Sequence, residues 1–278
     1  MSITLEGGCR VAEMYEGEPL AEGTARIWNQ IGRATGAQAI SLRILEFAPG
    51  LSPTIRNDNC DEILYVLGPE RGLARETERG HPVRLSEQSE RTATGESSAT
   101  IVINRRPYDL HPDTGIYIRP NETFALYNPG PESIVLVSSR CPDTEAAPEF
   151  VTHSTSTSPS PTRAPLVRLA DRRAQPTADR WYRVLVDDEV GSTQATQFVG
   201  SIPPGRAPDH FHHYEEVLFI LKGSGRMWAG ETNTPIAFGS CIYLPKEQVH
   251  CVENTGKEEL RLLGVFYPAG SPSVRYDA

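Results

Sequence analysis

The chain writes one pattern twice. ILEFAPGLSPTIRNDNCDEILYVLG at 44–68 lies over VGSIPPGRAPDHFHHYEEVLFILKG at 199–223, with Pro49 and Pro204 marking the same turn and Glu62 matched to Glu216, which sits one residue nearer its proline. A second echo sets TGIYIRPNETFALYNPG against SCIYLPKEQVHCVENTG and matches Pro120 to Pro245 and Glu122 to Glu247. Self-similarity at this spacing predicts two copies of one folding unit. Between them, PDTEAAPEFVTHSTSTSPSPTRAP is rich in Ser, Thr and Pro and almost free of large aliphatics, so it buries too little surface to offset its ordering entropy. The expected division is residues 1–141, a linker at 142–165, and residues 166–278. The first copy also carries a charged excursion, Pro69 to Ser98, expected to be a surface loop or a lid over a neighbouring pocket.

The unit is a β-unit. Twenty-three prolines and 23 glycines punctuate short runs such as ISLRILEFAP, DEILYVLG, EVLFILKG and LRLLGVFYP. Such spacing predicts an all-β sandwich or barrel, and no long helical periodicity competes with it.

Composition narrows the partners. A formal charge of -9 and a sequence pI near 5.3 exclude nucleic acid and anionic membrane surfaces, which need a basic face. No run reaches the roughly 18 to 20 apolar residues of a membrane span, and the first residues lack a basic and then apolar leader, so the expected address is the cytoplasm. The 5 cysteines are scattered without a CxxC pair and read as reduced, packed thiols. A small molecule is the expected partner.

The chemistry concentrates in DHFHHYEEVLFILKG, which holds three of the chain's 7 histidines. On a strand, His210 and His212 at i, i+2 share one face and His213 takes the other. Glu216 opens the following apolar run, and His250 sits on a later strand that antiparallel pairing can lay beside the first. Three neutral imidazoles and one carboxylate form a mixed N/O set that divalent first-row metals accept. Leu218 and Ile220 keep step with Glu216, and Val252 and Asn254 with His250, so all four are expected to line the cavity. Trp228 is a fifth candidate for the cavity lining, and Trp228, Tyr243, Arg226 and Arg261 are candidates for stacking or an anion contact.

These residues carry a resemblance. His-x-His, three residues, Glu, six residues, Gly is similar to the first motif of the cupin superfamily, present as His210, His212, Glu216 and Gly223. The second motif is matched by Gly239, Pro245, His250 and Asn254, with Glu247 where that motif has a glycine. The resemblance implies tandem double-stranded β-helix (jelly-roll) barrels, a bicupin, with a metal in the mouth of the second. In the first copy Arg56 and Asp58 stand in for the histidine pair, Ala125 stands in for the last histidine, and only Glu62 persists. That barrel is expected to be structural, the alternative being an organic ligand in its cavity.

The function implied is a metal-dependent bicupin enzyme, with iron(II) favoured and Mn, Ni or Zn as alternatives. The leading expectation is a dioxygenase acting on a small aromatic or enolisable molecule. The alternatives are an isomerase, lyase or hydrolase using the ion as a Lewis acid, or a non-catalytic binding cupin. Strand addition at barrel edges makes a homodimer the expected assembly.

Overall fold

The computed structural model describes residues 1–57, 59–68, 98–152, 163–177, 179–273 and 276–277. It is built of β-strands in four sheets, two to each half of the chain. The repeat is visible in the strand order. In the larger N-terminal sheet Leu42–Phe47, Ile134–Cys141, Asp61–Val66 and Thr114–Ile118 are neighbours in that order. Thr196–Ile202, Leu260–Tyr267, Glu215–Lys222 and Ser240–Leu244 follow one another in the same way in the larger C-terminal sheet. The smaller sheets match too: Thr100–Ile103, Thr123–Asn128 and Thr54–Arg56 in one, Ser224–Ala229, His250–Asn254 and His210–Phe211 in the other. The fold is all-β, two jelly-roll barrels in tandem.

Alternation along each strand divides the core. On Glu215–Lys222, Leu218 and Ile220 enter the C-terminal barrel with Phe198, Leu244, Leu262 and Phe266, while Val217, Phe219 and Leu221 pack between the barrels against Tyr65, Tyr117 and Val137. On Asp61–Val66, Leu64 and Val66 enter the N-terminal barrel and Ile63 and Tyr65 face the seam. Each such side chain contributes about 1.5–3 kcal/mol relative to leaving it in water. Both faces of the larger sheets are therefore apolar, which is why their strands read as continuous hydrophobic runs.

Sheet hydrogen bonding crosses the divisions expected at 141 and 166. Strand Arg10–Glu13, from the first residues of the chain, pairs with Ser240–Leu244 of the C-terminal half. Leu166–Arg168, just past the expected linker, pairs with Thr114–Ile118 of the N-terminal half. Each half thus covers the exposed edge of the other, and an uncovered edge carries unpaired N–H and C=O groups. Within the linker, Glu149–Val151 also pairs, with Thr54–Arg56. Apart from Ser98, the 69–98 excursion lies outside the described residues. Among the described residues no helix is long and apolar enough to cross a membrane.

Two motif positions explain their backbones. Gly223 has φ +87°, and a Cβ there would come within 3.1 Å of the Leu260 Cα, so the turn out of Glu215–Lys222 requires glycine. Glu247 keeps the left-handed turn, with φ +61°, although it is not glycine.

Candidate metal centre

His210 and His250 face each other as a directly paired residue couple of antiparallel strands. His212 follows two residues after His210, and the ring centroids lie 4.9 Å (His210–His212), 4.6 Å (His210–His250) and 5.2 Å (His212–His250) apart. One ligand atom from each falls within 4.8 Å of the others. His212 and His250 are buried and His210 is half-buried. Sequence separation of about 40 residues is closed here by ladder register alone.

The rings are held in one tautomer. His210 Nδ1 lies 3.0 Å from the Pro208 carbonyl oxygen and His250 Nδ1 2.7 Å from that of Gln248. A carbonyl only accepts, so both Nδ1 atoms carry the proton and both Nε2 atoms carry the lone pair through which an imidazole ligates a cation. Burial, helped by the neighbouring His210, lowers the His250 pKa to about 4, which keeps that ring neutral at physiological pH. The His212 ring stacks on Tyr214 at 4.5 Å and 10°, and Tyr214 stacks in turn on Phe266 at 4.5 Å.

Glu216 stands beside this group, its Oε2 lying 3.6 Å from His212 Nε2, while the three histidines alone make up the set with ligand atoms within 4.8 Å of one another. Burial pushes its carboxyl up to about 8, so without a cation it would hold a proton near neutrality. A divalent ion reverses that preference, and three neutral nitrogens with one carboxylate suit such an ion. The donor set fits a first-row metal. Adjacent Glu215 points the other way, into the seam, where it accepts the backbone N–H groups of Gln38 and Ala39 at 2.7 Å each and the Tyr243 hydroxyl.

The group lines a cavity of about 120 Å³ together with Phe198, Leu218, Leu244, Val252 and Leu262, and Arg180 is also among its lining residues. Of the five residues expected to line it, Leu218 and Val252 do. Ile220 is fully buried in the barrel core away from the opening. Trp228 is paired with Cys251, one step out of phase with His250, so its indole lies on the outer face, donating to Glu253 Oε2 at 2.8 Å beneath the Arg206 guanidinium. Asn254 is a turn pin: its Nδ2 donates to the carbonyls of Ile202 and Glu258 and its Oδ1 accepts from Gly256 N. Asn128 makes the same three bonds in the N-terminal barrel, to Phe47, Glu132 and Gly130. Arg226 bonds Asn233, Arg261 bonds Glu259, and His213 faces Glu247. Phe198, Tyr214 and Arg180 escaped the sequence reading because which strands flank the mouth is set by the barrel, not by spacing.

Register corrects the reading of the first copy. Asn128 pairs with Gly50 as Asn254 pairs with Gly205, and counting back along each strand puts Phe124 at the station of His250, in place of Ala125. Phe124 pairs with Ile55, which therefore takes the station of His210 in place of Arg56. Asp58 lies outside the described residues. Ile55 and Phe124 are both buried in the apolar core, so the two imidazole stations are filled with hydrocarbon. Glu62 does match Glu216, but it is paired with Arg43 at 2.6 Å.

A family model described as a cupin domain matches residues 198–266. Auxin-binding protein 1 of Arabidopsis thaliana is 39% identical over 73 residues, covering 23% of this chain and 37% of that protein. Protein SchB of Streptomyces halstedii is 29% identical over 82 residues, covering 29% of this chain and 59% of that protein. The chain thus spans from about a third to three fifths of these relatives' lengths. Over nearly its whole length the fold resembles a single-residue variant of Bacillus subtilis oxalate decarboxylase, with TM-score 0.67, 12% identity, 94% of this chain and 77% of that chain covered. Both cupin motifs lie on the C-terminal barrel, whose residues 198–266 match the cupin domain, and the two-barrel fold around them is similar to that of the bacterial decarboxylase.

Proposed function

We propose that the C-terminal barrel is a metal-dependent catalytic site for a small organic molecule, with His210, His212, His250 and Glu216 holding one divalent transition ion. The observation that carries it is three imidazoles, lining an apolar-walled cavity, with ligand atoms within 4.8 Å of one another. An ion held there supplies a Lewis-acidic centre and, as iron(II), an electron-transferring one. The chain's own groups do the rest. Nδ1–H bonds to Pro208 and Gln248 aim the Nε2 atoms of His210 and His250 into the site. Glu216 supplies one negative charge, and the hydrocarbon walls lower the local polarity, which strengthens charge interactions inside. The cavity volume of about 120 Å³ suits a short molecule.

Two reaction classes follow from this site. Cleavage by dioxygen with iron(II) is the reading drawn from the ligand set of cupins. Chemistry without net oxidation, with Mn, Ni or Zn as Lewis acid, is favoured by the structural similarity to a protein named as a decarboxylase. A binding role without turnover, as the name of the Arabidopsis relative suggests for that protein, is the third outcome. Elemental analysis of the purified chain and of His212→Ala tests the metal: one ion in the former and none in the latter is expected. An ion-free wild type offered all common divalent metals would overturn the reading. Fe(II)-dependent oxygen uptake with a panel of small acids and phenols selects the first class, and anaerobic turnover with Mn(II) or Zn(II) the second.

A further inference from the structure

Arg180 begins the strand Arg180–Val186 and lines the same cavity as the three imidazoles. Its side chain is only 16% exposed, and among the described residues its one hydrogen bond runs from Nε to Asp179 Oδ1, 3.1 Å away. A guanidinium has five N–H donors in a planar fork, so the two terminal nitrogens remain for another acceptor. Two neighbouring polar groups of the lining are engaged elsewhere: Ser201 Oγ donates to Glu259 at 2.7 Å and the Tyr182 hydroxyl to Gln175 at 3.0 Å. Among the described residues Arg180 is the one arginine or lysine of the lining.

Charge points the same way. A divalent ion held by three neutral imidazoles and one carboxylate leaves one net positive charge in the cavity, and Arg180 adds a second. Asp179 is 65% exposed, so water screens most of its compensating charge. With that balance among the described lining residues, the apolar-walled cavity selects an anion that can reach both charges.

We propose that Arg180 is the anion-recognition residue of this cavity, and that its ligand is a small oxo- or hydroxy-carboxylate. The carboxylate pairs with the Arg180 fork, the second oxygen donor faces the imidazoles, and the carbon body lies along Phe198, Leu244 and Leu262. The assignment rests on the metal reading of the same site. Size supports a short acid: the cavity holds about 120 Å³, while a cavity of roughly 150 Å³ in another protein accepts benzene. A planar fork fits a carboxylate in a bidentate manner, which selects it over a rounder anion.

The test is calorimetric titration of the full chain, metal-loaded and metal-free, with 2-oxobutanoate, its neutral amide 2-oxobutanamide, and inorganic phosphate at fixed ionic strength. The acid is expected to bind metal-loaded wild type about tenfold to a hundredfold more tightly than the amide, the range of a charge-assisted hydrogen-bonded pair. Arg180→Gln removes that difference by weakening the acid and not the amide, Arg180→Lys restores part of it, and both variants keep wild-type metal content. Equal affinity for acid and amide, tighter binding of phosphate, no binding of the acid at all, or an Arg180→Gln variant that binds the acid as wild type does would each overturn the inference while leaving the metal reading intact. A wild type that takes up no ion overturns the metal reading by itself; the acid-over-amide preference of the metal-free chain then decides the fate of Arg180 by the same comparison.

Discussion

Arg43 Nη2 lies 2.6 Å from Glu62 Oε1 inside the N-terminal barrel, at the station that Glu216 occupies in the C-terminal one. Ser138 Oγ donates to the same oxygen at 2.7 Å. One barrel thus neutralises its inward glutamate with a resident arginine, and the other surrounds it with imidazoles. The side chains of the pair are 8% and 2% exposed, so removing one partner strands a buried charge. Arg43→Met alone is expected to destabilise the fold by about 3–5 kcal/mol. The double change Arg43→Met with Glu62→Leu should recover most of that loss. Urea unfolding measures both, and metal content should be the same in all three proteins.

Glu216 and His250 give the metal-free protein opposite pH trends. The folded state raises the Glu216 carboxyl from 4.5 to about 8, so its protonated form is favoured and its contribution to stability fades as pH climbs from 4.5 through 8. His250 is lowered from 6.5 to about 4, so its contribution is present above 6.5 and fades as pH falls toward 4. Thermal melts of the metal-free chain against Glu216→Gln should converge at low pH and separate in favour of the variant by pH 9.

Metal binding should expel the Glu216 proton. Below about 8 that carboxyl is protonated without an ion, so zinc uptake at pH 6.5 is expected to release about one more proton than in Glu216→Gln, and at pH 9 the difference should vanish. Titration in buffers of different ionisation enthalpy reads the proton count. An equal count in both proteins at pH 6.5 would remove Glu216 from the ligand set.

Glu215 ties the barrels together beside the site. Its buried carboxylate accepts two backbone N–H groups of the N-terminal half, so Glu215→Gln turns one acceptor into a donor facing a donor. The expected loss is about 1–3 kcal/mol of unfolding free energy. Metal stoichiometry, read by elemental analysis, should stay as in wild type.

Much of this molecule is written locally. The two copies, their β character and the convergence of His210, His212 and His250 follow from spacing, because alternation along a strand fixes which side chains share a face. Spacing also placed Leu218 and Val252 in the cavity wall. It went astray where one residue of register mattered: Trp228 follows the phase of Cys251 and so faces outward, and the first copy is read correctly only by counting from the Asn128 turn, which brings Ile55 and Phe124 to the histidine stations.

Tertiary structure alone decided the rest. Sequence has no term for which strand covers which edge, so the exchange of Arg10–Glu13 and Leu166–Arg168 between the halves was invisible in it. The partner of Glu62 was hidden for the same reason, since Arg43 lies 19 residues away on a strand that does not touch its own. Arg180 lines the cavity only because the closed barrel brings a strand from outside both motifs to it. Local periodicity selects the face on which a side chain sits; the closure of the barrel selects its neighbours, and the chemistry of the site depends on both.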